Sequence, residues 1–254
     1  MPPRAVVVLL GASNLELALP HVVAELARRL PGPFDLHAAI GHGRSYGATS
    51  RYLARELPAI LDCGLWRALE PARGRPCFAI VADVGNDLMY GASAERVAGW
   101  VAAAIARLDA LGARRVVVGL PRARLERVTP VGFALLSRLV FPFHPRRDFA
   151  ATRAAAFELD DRLRELARGD AFVEPPLGWF GLDPIHVRRS QRGTAWASIV
   201  DGLGAGAGGD RRLTRSELRA LARYRAERRA LFGRWRTHAQ PQVVLGDASS
   251  LAFH

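Results

Sequence analysis

Between residues 4 and 203 the chain alternates short runs rich in β-branched and aliphatic residues with longer amphipathic stretches, and this alternation limits the available folds. Runs at 5–10 (Ala-Val-Val-Val-Leu-Leu), 34–40, 77–82, 115–120 and, more weakly, 171–173 read as strands. Segments 17–30, 50–61, 94–111, 152–167 and 193–200 repeat apolar residues at spacings of three and four, with charges opposite, and are predicted crossover helices. Strand and helix in strict succession give an α/β fold, a parallel sheet covered by helices on both faces.

A chain of 254 residues, 50% of them hydrophobic, is long enough for one such domain and an appendage. Boundaries are expected at 1–203 for the α/β domain, 204–212 for a glycine-rich linker and 213–254 for an arginine-rich C-terminal helix and tail. Thr214-Arg-Ser-Glu217 has the form of a capping box. From it, Leu218, Leu221, Tyr224, Leu231, Phe232 and Trp235 fall on one helical stripe, with Arg228 inside it. Such a helix is expected to dock on its own domain or on a second copy, leaving a homo-oligomer open; contact with nucleic acid or a membrane surface is the less favoured use. Residues 121–149, broken by Pro121, Pro130, Pro142 and Pro145, read as a long connection that contributes Phe141, Phe143 and His144 to a pocket.

The net charge of +12 suggests a polyanionic partner only weakly. Every Lys/Arg position is arginine, and arginine, alanine and glycine are abundant throughout, as a GC-rich coding bias alone would produce. No uncharged apolar run approaches about 18 residues, so no bilayer span is predicted. The N-terminal apolar run leads directly into Gly11-Ala-Ser-Asn and reads as a strand, not a targeting signal; the expected location is cytoplasmic. Cys63 and Cys77 lack metal-ligand spacing and are expected to be buried free thiols.

Four polar blocks follow predicted strands or close the domain. Ser13 lies between the first strand and the first helix, at the carboxyl edge where open α/β sheets bind ligands; an ordinary helix N-cap is the competing explanation. Gly41-His-Gly43-Arg-Ser-Tyr-Gly47 follows the second strand, and a glycine there lets a backbone amide approach a ligand, although a plain turn has the same composition. Val84-Gly85-Asn86-Asp87 follows the third, where Asn86 offers an amide donor or simply makes a turn. Finally, Asp183-Pro-Ile-His186 is read as opening a helix, its spacing of three bringing carboxylate and imidazole onto one face; the alternative is a helix cap beside a surface histidine. A carboxylate so placed holds an imidazole in the tautomer that accepts a proton from serine.

Taken in order, Ser13, Gly43, Asn86 and His186 resemble the four signature positions of the SGNH (GDSL-like) hydrolase superfamily, over about 200 residues. The resemblance implies a flavodoxin-like three-layer α/β/α sandwich, here with the C-terminal amphipathic helix added. It implies Ser13 as nucleophile, His186 as base oriented by Asp183, and an oxyanion hole from the amides of Ser13 and Gly43 and the side chain of Asn86. The first block reads Gly-Ala-Ser where the family commonly has Gly-Asp-Ser, so Ala12 implies altered hydrogen bonding around the nucleophile. No Gly-x-Ser-x-Gly is read around any serine, which sets aside the α/β-hydrolase elbow, and no P-loop or dinucleotide fingerprint stands between a strand and a helix.

The expected activity is hydrolysis of a small-molecule, glycan or lipid ester through an acyl-serine intermediate, with no metal and no organic cofactor. Trp179 and Phe180, with Phe141 and Phe143, are candidates for an acyl or sugar-stacking wall, or for core. The alternative is an SGNH-like binding module that contacts RNA or another polyanion through the arginines of the C-terminal helix.

Overall fold

The computed structural model describes residues 4–140, 145–206 and 209–254. Among them the strands are β1 (Ala5–Leu10), β2 (Phe34–Ala39), β3 (Ser50–Tyr52), β4 (Arg55–Leu57), β5 (Cys77–Val81), β6 (Arg114–Val118), β7 (Ala171–Val173), β8 (Arg228–Leu231), β9 (Arg234–Thr237), β10 (Val243–Val244) and β11 (Ser250–Phe253). The helices are α1 (Ser13–Arg29), α2 (Leu65–Leu69), α3 (Asn86–Met89), α4 (Ala94–Asp109), α5 (Arg122–Leu125), α6 (Pro130–Val140), α7 (Phe149–Leu166), α8 (Arg192–Asp201) and α9 (Arg215–Leu221).

Strand β1 explains the layering. Its alternate side chains point to opposite faces, and both faces are buried: Val7 and Leu9 pack with α1, α8 and α9, whereas Val6, Val8 and Leu10 pack with α2, α4 and α7. A strand covered twice must be apolar throughout, which is why this run is continuous. The main sheet has the order β10-β11-β2-β1-β5-β6-β7, with only β10 antiparallel to its neighbour. Its five N-terminal strands run 2-1-3-4-5 in their own count, so successive connections diverge between β1 and β5. The crevice above that divergence is where doubly wound sheets bind ligands. The result is a mixed α/β sandwich with a mostly parallel central sheet.

Two predicted helices are corrected. Segment 50–61 instead forms the β3–β4 hairpin and a short 3₁₀ turn, Ile60–Asp62. The C-terminal helix keeps its capping box, with Thr214 Oγ1 accepting from Glu217 N at 3.2 Å and Glu217 Oε2 accepting from Thr214 N at 2.7 Å, but it ends at Leu221. Residues 228–237 then form the hairpin β8–β9, which joins β4 and β3 in a second, four-stranded antiparallel sheet. The physical reason is mutual: each hairpin offers the other unpaired backbone groups that neither helix would have satisfied across the gap. Phe232-Gly233, with φ of +50° and +74°, is a two-residue turn of the type I′ form. Beyond it, β10 and β11 extend the main sheet, and Leu251 and Phe253 are buried in its core. The C-terminal segment is thus woven into the same sheet.

The connection 121–149 holds α5 and α6, whereas Phe141, Phe143 and His144 lie outside the described residues. Cys63 and Cys77 are buried free thiols. Among the described residues no helix is long and apolar enough to cross a membrane.

Candidate active site

The chain leaves β1 at Leu10, passes Gly11 and Ala12, and enters α1 at Ser13, which is only 6% exposed. Ser13 Oγ lies 2.9 Å from Nε2 of His186, and Nδ1 of His186 lies 2.7 Å from Oδ2 of Asp183. With Nδ1–H donating to the carboxylate, Nε2 is left to accept the serine hydroxyl's hydrogen bond. Asp183 does not open a helix, as the sequence suggested. Its segment is an irregular loop, and its other oxygen, Oδ1, accepts the backbone N–H groups of Ile185 (2.8 Å) and His186 (3.2 Å). One carboxylate therefore shapes the loop and orients the ring. Burial alone would raise its pKa, but the His186 bond and these amides outweigh burial and hold it below the usual carboxylate value.

Two residues that sequence reasoning did not single out tie this loop to Ser13. Asn14 donates through Nδ2 to the Ile185 carbonyl (3.0 Å) and accepts the Val187 N–H at Oδ1 (2.9 Å), gripping the backbone on both sides of His186. Its Nδ2 also donates to Asp83 Oδ1 (2.9 Å). Asp83, in the left-handed region at φ +57° just after β5, accepts the N–H groups of Ala12 (2.9 Å) and Leu15 (3.1 Å) at Oδ2. The carboxylate missing at position 12 is thus matched by one arriving from the neighbouring strand, which caps the start of α1.

The loop after β2 is pinned to the same place. Tyr46 Oη lies 3.2 Å from the Leu10 carbonyl and 2.9 Å from that of Ala82, at the ends of β1 and β5. Asp87 accepts from the Ser45 hydroxyl and from Tyr46 N (3.0 Å), and burial raises its pKa to about 6. Gly43 has φ +68°, and a Cβ there would sit 2.6 Å from Tyr90 Oη, so only glycine fits. Asn86, first residue of α3, keeps its Nδ2 buried without a hydrogen-bond partner among the described residues. An orphan donor of this kind calls for a ligand or a reason.

The pentapeptide Gly43-Arg-Ser45-Tyr-Gly47 does carry the Gly-x-Ser-x-Gly spacing that was set aside. Its serine is fully buried and engaged with Asp87, Gly47 N and Ala48 N, and among the described residues no imidazole is bonded to it.

A cavity of about 180 Å³ opens beside Ser13, Asn14, Asp83 and Asn86. Its walls are otherwise mostly apolar: Val118 at the end of β6 and Leu120 just after it, Leu125, Phe133 and Leu136 from α5 and α6, Phe149 and Ala156 from α7, and Trp179, Phe180 and Ile185 on the far side. Trp179 and Phe180 thus line the pocket.

A second cluster adjoins the first turn of α1. Glu16 accepts from His42 N and lies against His42 Nδ1; it also accepts from Arg55 (3.2 Å) and Tyr224 Oη (3.2 Å). Burial alone would raise its pKa, but His42 and Arg55 outweigh burial and hold it at about 2.

No family model and no curated protein matches this chain. One solved structure aligns over 79% of this chain and 97% of its own length, with TM-score 0.50 and 13% identity, a likeness of fold alone. Protein YXIM from Bacillus subtilis aligns over 80% of this chain but only 56% of its own, with TM-score 0.45 and 13% identity.

Proposed function

We propose that this chain is a serine ester hydrolase of the SGNH (GDSL-like) type, built on the flavodoxin-like variant of the α/β sandwich. The observation that carries the reading is the continuous hydrogen-bonded series Asp183–His186–Ser13, with contacts of 2.7 and 2.9 Å, at the carboxyl edge of the central strand.

In this reading Ser13 Oγ attacks the ester carbonyl while His186 Nε2 takes its proton. Asp183 fixes the tautomer and stabilises the imidazolium. The carbonyl oxygen, now an oxyanion, is met by the backbone N–H groups of Ser13 and Gly43 and by the otherwise unpaired Nδ2 of Asn86. As the C–O bond breaks, His186 returns the proton to the departing alcohol. Water, deprotonated by the same imidazole, then releases the acid from Ser13.

The cavity favours an apolar acyl group. An apolar cavity of roughly 150 Å³ accepts benzene, so about 180 Å³ suits a chain of about six to eight carbons. Competing use as a polyanion-binding module has lost the long helix on which it rested, although its arginines remain exposed on β8 and β9.

The test is hydrolysis of p-nitrophenyl acetate, butyrate and octanoate by the wild type and by Ser13→Ala, with fluorophosphonate labelling. Turnover and labelling that vanish in Ser13→Ala support the assignment. Absence of Ser13-dependent turnover and labelling overturns it.

A further inference from the structure

The two hairpins of the antiparallel sheet end side by side. Their turns are Leu53-Ala54 and Phe232-Gly233; Phe232 N donates to the Ala54 carbonyl at 2.8 Å, and Leu231 is paired with Arg55. At these tips Phe232 is 78% exposed, Leu53 56% and Leu231 50%. Leu53 and Phe232 also occupy the left-handed region, at φ +54° and +50°, where glycine or asparagine is the usual occupant and a bulky side chain is strained. Large apolar side chains kept in solvent, in backbone conformations that disfavour them, contribute nothing evident to the fold around them. Strain of this kind is a reason to look for function.

The charge around the tips has one sign. Strand register places Arg229, Leu231, Arg234 and Arg236 on one face of the hairpin, and Arg228 stands over the Trp235 ring on the other at 4.9 Å. Among the described residues, none of Arg225, Arg228, Arg229, Arg234 and Arg236 forms an ion pair. Burial first, and after it the charges of Arg225, Arg55 and Arg236, depress the Arg229 pKa.

We infer that the paired tips of this sheet form an interfacial anchor for an anionic lipid surface, with Leu53, Leu231 and Phe232 entering the acyl region and the arginines meeting the headgroups. A basic rim around apolar and aromatic residues is the composition that holds a protein in a membrane interface. A second copy of the chain fits poorly, because edge-to-edge pairing would set arginine strands together. RNA would use the arginines and Trp235, but aliphatic Leu53 and Leu231 have no ring to stack on bases. The inference does not depend on the hydrolase assignment. Glu16, one turn after Ser13, is bonded to Arg55 of the same sheet, so docking there would bring the candidate active site close to the lipid.

The test is co-sedimentation of the full chain with vesicles of phosphatidylglycerol and phosphatidylcholine, and with vesicles of phosphatidylcholine alone. The informative variant is Leu53→Gly/Phe232→Asn, which gives each turn a residue suited to its φ and so is expected to melt at or above the wild-type temperature. Expected are salt-sensitive binding to the anionic vesicles, weak binding to the neutral ones, and at least tenfold weaker anionic binding by the variant. Arg234→Gln/Arg236→Gln is expected to weaken binding on the order of tenfold or more. No binding to anionic vesicles, or binding unchanged in the tip variant, overturns the inference, as does retention by single-stranded RNA but not by vesicles.

Discussion

Asp83 reaches across from the end of β5 to hold the Ala12 N–H at 2.9 Å, so the peptide that presents Ser13 is capped by a carboxylate from a neighbouring strand. The same carboxylate holds Asn14, and Asn14 holds both backbone neighbours of His186. Ser13 and His186, the proposed nucleophile and base, are therefore positioned by one shared pair of side chains.

Removing that pair is expected to damage turnover more than substrate binding. Asn14→Ala frees the Ile185–Val187 loop without touching Asp183 or Ser13, and a displacement of about 1 Å of a catalytic group costs up to about a hundredfold in rate. Steady-state kinetics on a p-nitrophenyl ester should show kcat lowered roughly 10–100-fold with KM within about threefold. Asp83→Asn keeps an acceptor and tolerates the left-handed backbone, so its loss should be smaller. A rise in KM with kcat intact would remove the positioning role.

At Gly43, conformation and space point the same way. Gly43→Ala places a Cβ 2.6 Å from Tyr90 Oη at φ +68°, which forces the loop to shift. The expected result is a kcat reduced about 100-fold, the usual cost of one oxyanion donor, with a stability loss of about 1–2 kcal/mol. Tyr90→Phe in the same background removes the hydroxyl but not the strained φ, and should restore little of either, as read by urea unfolding and the same assay.

How much of this was legible in the chain depended on distance. Strands β1, β5 and β6 could be read because burial on both faces writes itself into a local run, and β2 because buried Phe34, Leu36 and Ala38 alternate with Asp35 and His37. Ser13, Asp183 and His186 stand out through the resemblance to SGNH hydrolases and the order of their blocks, and the structure brings the three side chains together. The hairpins could not be read, because their reason is a pairing between Arg55 and Leu231 that no local periodicity encodes. One signal was available: Gly233 interrupts the supposed helical stripe, and a glycine after Phe232 marks a turn. Asp83 was illegible for the same reason as the hairpins, since its role exists only once β1 and β5 are neighbours.

The Glu16 cluster sets an acid limit on stability. Its carboxyl is held at about 2, below the ordinary glutamate value of 4.5, so its contribution is fully present above about pH 5 and is lost as pH falls toward 2. A shift of this size corresponds to roughly 3 kcal/mol or slightly more. Urea unfolding of the wild type and Glu16→Gln should therefore differ by about that amount at pH 6 and converge near pH 2. A difference that does not change with pH would assign the loss to packing instead of charge.

The cavity beside Ser13 should be divisible by one substitution. Ala156, on α7, lines its wall and is buried, so Ala156→Leu adds about three carbons where an acyl chain would lie. Filling existing space relieves part of the usual overpacking cost of about 1–3 kcal/mol, and the fold should survive. Because the change leaves Asp183, His186 and Ser13 untouched, acetate turnover should stay within about threefold of wild type. Octanoate kcat/KM should fall at least tenfold, through a raised KM with kcat little changed, since ground and transition states lose the same apolar contact. If acetate and octanoate fall together, the acyl group does not occupy this cavity, and the apolar walls around Leu120, Phe133 and Trp179 serve as core.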